Sequence, residues 1–397
     1  MMGVNVKSPN VANATNSRTG RLFVGVDVHK DNHAAMALDC FGDVLENWEI
    51  GNEYGDFVSL VDEIEKVAGK KDLVPVFGLE DTYGAGDFLA KYLFGKGHEI
   101  KTVNPVLVKR ERDFETHPEK SDLADAKGVA KVLIQRIDTL PHYNVTKTIE
   151  ISRDMGNLVK DRETIVFEQT ILKNQLHRIL HQSWGSAYRS VFKDVFSKQA
   201  LIFWSDFPSA IECKKSHKRV VKPDWIRKTD YEELPQTSGI TQNQVRRKTK
   251  RILAIREELK EIETELKQLL EQTGQKLETL PGCGTTLASV VISEIKDVRR
   301  FKTPAQLAKY AGLAPRSYES GKKKRHIKSK SGNRRLNRAI YQIALTQISN
   351  QGIEKAKEYF QKKIGESKSK KHALTCLKRQ IIDIIWSMLK EKRGYYP

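Results

Sequence analysis

Cysteine is scarce in this chain: four in 397 residues, at Cys40, Cys213, Cys283 and Cys376, all far apart. No two have the spacing of a zinc knuckle or a redox pair, which argues against both and for a reducing, cytoplasmic setting. Long apolar runs are missing too. The first twenty residues are polar, without the apolar core of a secretory signal, and no later run is long enough to cross a bilayer. One stretch lacks negative charge altogether: Gly321 to Arg338 holds nine Lys/Arg and no Asp or Glu. A basic surface without a membrane segment is expected to meet nucleic acid.

What is present is unevenly spread. Hydrophobic residues make up 39% and charged residues 30%, as in a helix-rich soluble protein, and the formal charge is +19. Residues 1–145 hold 17 Lys/Arg and 23 Asp/Glu, a net of −6, so residues 146–397 carry +25. An acidic front that must still work on a polyanion calls for metal ions, and the basic back reads as the grip.

Along the chain, residues 1–20 read as a disordered tail. Three β-like runs follow at 22–28, 33–39 and 44–50, divided by Asn32 and by Phe41-Gly42-Asp43. Then come a helix at about 55–68, a strand at 74–80, a helix near 87–95, a strand near 99–103 and a helix at about 122–136. Three antiparallel strands followed by alternating helix and strand is the order of an RNase H-like α/β layer fold, here over 21–145. From 146 the texture turns to long helices. Residues 245–269 place Val245, Ile252, Ile255, Leu259, Ile262, Leu266 and Leu269 on a heptad seam, and 148–182 keeps the same rhythm, interrupted by Arg162 and Gln169. The region 146–276 therefore reads as a coiled-coil hairpin with an aromatic insert at 184–239, and such a seam would also serve pairing between chains. The remainder, 277–397, reads as mostly helical, with helices at 336–348 and 374–389. Pro281-Gly282-Cys283-Gly284 resembles a helix-hairpin-helix turn, whose Gly282 and Gly284 would expose backbone N–H groups to a phosphate.

The chemistry starts at Asp27, inside the apolar strand VGVDVHK. A carboxylate there is costly to bury unless paired or bound to a cation. Glu80 ends the fourth strand, which neighbours the first in an RNase H-like sheet. Asp122 and Asp125 stand at i and i+3 on one helix face, although Asp122 alone would suit an N-cap. Four converging carboxylates would repel without a divalent ion between them. Oxygen ligands at this density suit Mg²⁺, with Mn²⁺ as an alternative. Lys120 is placed to neutralise the pocket or touch phosphate; His29 and Lys30 receive no role. A second chemical element is a hydroxyl near the basic run. Ser317, Ser320, Ser329 and Ser331 all qualify; Ser320 is followed by Gly321, which allows close backbone approach. Lys322, Lys323, Lys324 and Arg325, then Arg334, Arg335 and Arg338, would neutralise phosphates.

The motifs GVDVHK, GLEDTYG and KSDLADA in front, and LPGCG, FKTPAQLAKYAGLAPRSYESGKK and KSGNRRLNRAI behind, together resemble the DEDD-type insertion-sequence transposases of the IS110 family, with the related pilin-gene invertases. The resemblance runs from about Leu22 to Ser349. It implies a RuvC-like domain, a coiled coil and a transposase domain, and a recombinase that joins donor and target DNA under the guidance of a structured non-coding RNA. It further implies that Ser320 is the nucleophile of the Ser-Gly motif and forms a covalent link to DNA. Asp27, Glu80, Asp122 and Asp125 would be the metal-binding catalytic acids, completing the serine site of another protomer in a dimer or tetramer at the nucleoid. Asp81 is an extra acid beside Glu80. The competing reading is a metal-dependent junction nuclease that uses the carboxylates alone.

Overall fold

The computed structural model describes residues 18–80, 82, 84–114, 121–216, 223–320, 323–327, 331–366 and 368–396; for Tyr231 and for residues 316–320 and 323–327 it describes the backbone alone. The chain divides into two compact units, Met1–Glu150 and Ile151–Pro397. Among the described residues no helix is long and apolar enough to cross a membrane.

The first unit is a five-stranded sheet with helices on both faces. Its elements run β1 (Arg21–Val28), β2 (Asn32–Leu38), β3 (Val44–Gly51), α1 (Tyr54–Lys70), β4 (Val74–Leu79), α2 (Asp87–Gly95), β5 (Glu99–Thr102), α3 (Pro105–Arg112) and α4 (Asp122–Arg136). The strand order is β3-β2-β1-β4-β5. Strands β1 to β3 are antiparallel neighbours, while β4 lies parallel to β1 and β5 parallel to β4. Apart from α3, the order of elements along the chain is the one read from the alternating runs, and β1 and β4 are neighbours as that reading expects.

Strand β1 is buried on both sides, and its residues alternate between two cores. Leu22, Val24 and Val26 pack with Phe57, Leu60 and Ile64 of α1 and Leu89 and Leu93 of α2. Phe23 packs on the other side, with Val108 of α3 and Val129, Val132 and Leu133 of α4. Each such side chain, fully withdrawn from water, contributes roughly 1.5–3 kcal/mol. The short helix α3 was not anticipated. It starts with Pro105 behind an Asn104 cap and buries only Val108, too little for a periodic signal.

The second unit is helical. Helices α5 (Lys147–Trp184) and α10 (Gly239–Thr273) lie antiparallel. Ile151, Met155 and Val159 share a core with Ile262, Leu266 and Leu270, and Leu172, Leu176 and Ile179 share another with Val245, Ile252 and Ile255. The described residues of the insert form four short helices, α6 (Tyr188–Val191), α7 (Lys198–Asp206), α8 (Ala210–Lys215) and α9 (Asp224–Lys228). Its aromatics make a packed cap: Trp184 meets Trp204 edge-on with centroids 5.0 Å apart, and Trp204 donates from Nε1 to the Val195 carbonyl at 2.9 Å.

The remainder comprises α11 (Thr285–Ile295), α12 (Pro304–Tyr310), β6 (Arg316–Ser320), β7 (Lys323–Ile327), α13 (Arg334–Ile348), α14 (Glu354–Gly365) and α15 (Lys370–Glu391). Its core gathers Val291, Leu307, Ile340, Ile343, Ile381 and Ile385. The hairpin β6–β7 is a departure from the sequence reading. A run so rich in Lys and Arg carries no apolar alternation, yet it pairs antiparallel, with Glu319 opposite Lys324.

Candidate active site

Three elements deliver the acids of the first unit. The register sets Val26 beside Leu79, so Asp27 and Glu80 follow one another on adjacent parallel strands. Alternation puts Asp27 on the face that packs against α4, the face of Phe23 and Gly25. Gly25 explains how close α4 can come: a Cβ there would lie 2.2 Å from the Ala126 carbonyl oxygen and 2.4 Å from the Ala130 nitrogen. Only a bare backbone fits. Helix α4 begins about one turn before that crossing, and its first turn holds Asp122 and Asp125. Its cap is Ser121, whose hydroxyl accepts from the Ala124 N–H at 3.2 Å. Asp122 is therefore free of the capping role that would have been its plainest explanation, and both carboxylates sit where the helix dipole favours negative charge.

Asp27, His29 and Asp122 come together: one ligand atom from each lies within 4.8 Å of the others. His29 Nε2 is 3.1 Å from Asp27 Oδ2 and 3.5 Å from Asp122 Oδ1. Sequence reasoning passed over His29, although the two-residue spacing from Asp27 places both on one side of the strand end. It also missed Arg112, which ends α3 and pairs with Asp125. The signal was hidden because α3 itself was.

The electrostatics report crowding. Asp27 is only 8% exposed, and burial raises its carboxyl above the ordinary range; the charge of His29 opposes the shift, and those of Asp125 and Asp122 add to it. Glu80 is pushed up to about 7, first by burial, then by the charges of Asp27 and Asp125, with Arg112 and His29 opposing. The neighbouring cations thus do not cancel the negative charge. Carboxylate oxygens with one imidazole, short of positive charge, are a donor set for a hard divalent ion. Lys120 and Asp81 lie outside the described residues.

Ser320 is the last residue of β6 and pairs with Lys323, the first of β7. His326 pairs with Ser317, three rungs away, so it is no immediate neighbour of Ser320 along the ladder. Gly321 and Lys322 lie outside the described residues, as do the side chains of Ser320, Lys323, Lys324 and Arg325. The segment that carries this hairpin is gathered at its base. Gly312 has φ +68° and Gly332 φ +125°, and a Cβ on Gly332 would lie 2.5 Å from the Gly312 nitrogen. Asn333 donates its N–H to the Tyr310 carbonyl at 2.7 Å and its Nδ2 to Glu294 Oε2 at 2.6 Å. Its Oδ1 accepts from the Leu336 N–H and so caps α13.

Of the three arginines on α13, Arg334 and Arg338 are exposed. Arg335 is bound internally, to Glu163 at 3.0 Å and Glu294 at 3.9 Å, which leaves it less available to a phosphate than the sequence reading supposed. Gly284 faces open space at the start of α11, but Gly282, at φ +80°, packs against α13: a Cβ would stand 3.1 Å from the Ile343 carbonyl oxygen. Its glycine is needed for that internal approach.

A model of DEDD-type IS110 transposases matches residues 24–184, and one described as Transposase IS116/IS110/IS902 family matches residues 274–361. The chain belongs to the IS116/IS110/IS902 transposase family. It is 23% identical to an uncharacterized protein of insertion element IS116 from Streptomyces clavuligerus, over 96% of this chain and 98% of that one. It is 25% identical to the transposase of insertion sequence IS1111A from Coxiella burnetii, over 94% and 91%. Over 32% of its length, and 39% of the relative's, it is 29% identical to the pilin gene-inverting protein of Moraxella bovis. As an IS110-family transposase it is a DNA-acting enzyme of insertion-sequence transposition, and its α/β unit is the RuvC-like DEDD domain. The matched DEDD domain is of a kind associated with divalent-metal dependence, and the acidic cluster lies within it.

Proposed function

We propose that this transposase breaks and rejoins DNA through a covalent link to Ser320, with a magnesium-binding site at Asp27, Glu80, Asp122 and Asp125, guided by a structured RNA. The observation that carries the metal site is the crowding at Asp27 and Glu80: a buried and a half-buried carboxylate with raised proton affinity fit a divalent cation that would relieve their repulsion. Asp27, His29 and Asp122 already offer three donor atoms. Manganese, with the same preference for oxygen, is a substitute. A bound divalent ion supplies Lewis-acid stabilisation of the phosphoryl oxygens.

In the proposed step the Ser320 oxygen attacks phosphorus. One bond from phosphorus to a flanking deoxyribose oxygen breaks; the serine proton passes to solvent, and the leaving oxygen takes up a proton from solvent and departs as a hydroxyl, so no net proton is gained or lost. The phosphoserine diester keeps the bond for the reverse attack by a DNA hydroxyl, so rejoining needs no external energy source. Lys120, Gly282, Gly284, Gly321, Lys322, Lys323, Lys324, Arg325, Arg334, Arg335 and Arg338 are the proposed nucleic-acid contacts; exposed Arg334 and Arg338 are the strongest of those described. The RNA guide, the dimeric or tetrameric synapse and the three-part domain plan at 21–145, 146–276 and 277–397 rest on the sequence resemblance.

One observation favours a second reading. The acidic cluster is built entirely within the first unit, so a junction nuclease without serine chemistry would also have its metal site. Ser320→Ala separates the two in an assay with labelled donor and target DNA. The proposal expects loss of both cleavage and joining; a variant that still cuts supports the nuclease.

A further inference from the structure

The two long helices divide by charge. Residues 169–184 of α5 and 239–256 of α10 contain eight Lys/Arg and no Asp or Glu. The other parts of the same helices, 147–168 and 257–273, contain eleven acids and six Lys/Arg. Because the helices run antiparallel, the two acid-free stretches lie side by side: Lys248 Nζ donates to Gln175 Oε1 at 2.6 Å.

Within this half the cations converge. Arg247, Lys248 and Arg251 fall on one face of α10, and Arg178 stands on α5 one turn beyond Gln175. Partial burial, then the charges of Arg178, Arg251 and Arg247, lower the proton affinity of the Lys248 ammonium. Arg178, Arg247 and Arg251 are all exposed. Arg251 is paired with Glu168, at the edge of the patch. Among the described residues no carboxylate pairs with Arg178, Arg247 or Lys250. Like charges gathered in this way oppose folding, so the packing of the helices does not account for them.

We propose that this face of the helical arm is a docking surface for the phosphate backbone of duplex DNA, separate from the Ser320 hairpin and from the acidic cluster. The enzyme acts on DNA, and the charge is complementary. From Arg247 to Arg251 the helix rises about 6 Å, close to two phosphate steps of about 3.4 Å each along one strand. The only Phe, Tyr or Trp in the two stretches is Trp184, and it is buried. The two stretches themselves therefore offer no aromatic platform to unpaired bases, which disfavours a single strand on them. The contact is to backbone and carries no sequence preference.

The test uses the full-length protein and a fluorescent duplex of random sequence, about 30 base pairs long, titrated over a range of salt. The triple variant Arg178→Gln, Arg247→Gln, Lys248→Gln is expected to bind about tenfold or more weakly, with a salt slope shallower by about three. Its melting temperature should hold or rise, since repulsion is removed. Lys260→Gln with Lys267→Gln, in the acidic half, should leave slope and affinity alone. If the triple variant fails to fold, Arg178→Gln and Arg247→Gln are read singly, each expected to lower the slope by about one. An unchanged slope overturns the proposal. So does a loss confined to a structured RNA hairpin used in parallel, which would make the surface an RNA site. The proposal needs DNA as the substrate and does not need Ser320, so it stands or falls apart from the serine chemistry.

Discussion

Asp27 illustrates what a single residue reveals. A carboxyl held almost out of water beside two other acids binds its proton more tightly in the folded chain than in the unfolded one, and so does Glu80, which is pushed up to about 7. The consequence for stability has a definite sign. A carboxyl whose folded pKa is raised contributes stability that is present below its unfolded value, near 4.5, and lost as pH rises through about 7. Metal-free protein in chelator should therefore melt at a lower temperature at a pH of about 8 than at about 5, as far as this site governs it. Adding Mg²⁺ at the higher pH should restore the loss, and Glu80→Gln should flatten the dependence. A melting curve series that shows no such recovery would count against the metal site.

His29 belongs to the same scale. His29→Ala should weaken divalent-ion affinity by about 10- to 100-fold, measured by calorimetry, if the imidazole holds or orients a ligand. An unchanged affinity would return it to a surface role. Much of this site was readable at the residue level, because an acid inside an apolar strand and a pair at i and i+3 are conspicuous. Arg112 was not, because it depends on a helix with one buried apolar side chain. Nor was the true cap of α4: Ser121 and Asp122 are both good capping residues, and only the backbone distinguishes them.

At the scale of elements, glycines set the distances. Gly25→Ala would drive a methyl into the backbone of α4, which cannot yield as a flexible side chain would. The expected cost is about 1–3 kcal/mol in chemical denaturation, with loss of metal binding although no ligand has changed. A variant with normal stability and normal metal affinity would show that α4 does not fix the site. Gly332→Ala meets both a positive φ and the backbone of Gly312. It should lower DNA joining far more than metal affinity, because the strain falls at the base of the serine hairpin; equal losses in both would contradict this. The sheet of the first unit was legible because alternation and burial agree there. The hairpin at 316–327 was not, because its pairing is written in backbone register rather than in apolar periodicity. Asn333 and Glu294, which tie its base, are ordinary polar residues until their 2.6 Å contact is seen.

At the scale of the whole molecule, charge separates an acidic first part from a basic second part, and divides the long helices again along their length. The first division was plain in the sequence. The second emerged only when the helices were found side by side, since each stretch alone looks like a solvated face. Family membership sets this pattern in a DNA-acting transposase, in which the proposed metal site and the proposed phosphate grip would serve the same polymer. The central claim is that Ser320 becomes bonded to DNA in a reaction that needs the acids. The most direct measurement is mass spectrometry of the protein–DNA adduct trapped by denaturation during strand exchange with Mg²⁺. A phosphodiester mapped to Ser320, absent from Ser320→Ala and from Asp27→Asn, is the predicted result. Strand exchange by Ser320→Ala at the normal rate, or an adduct on a different residue, would contradict it.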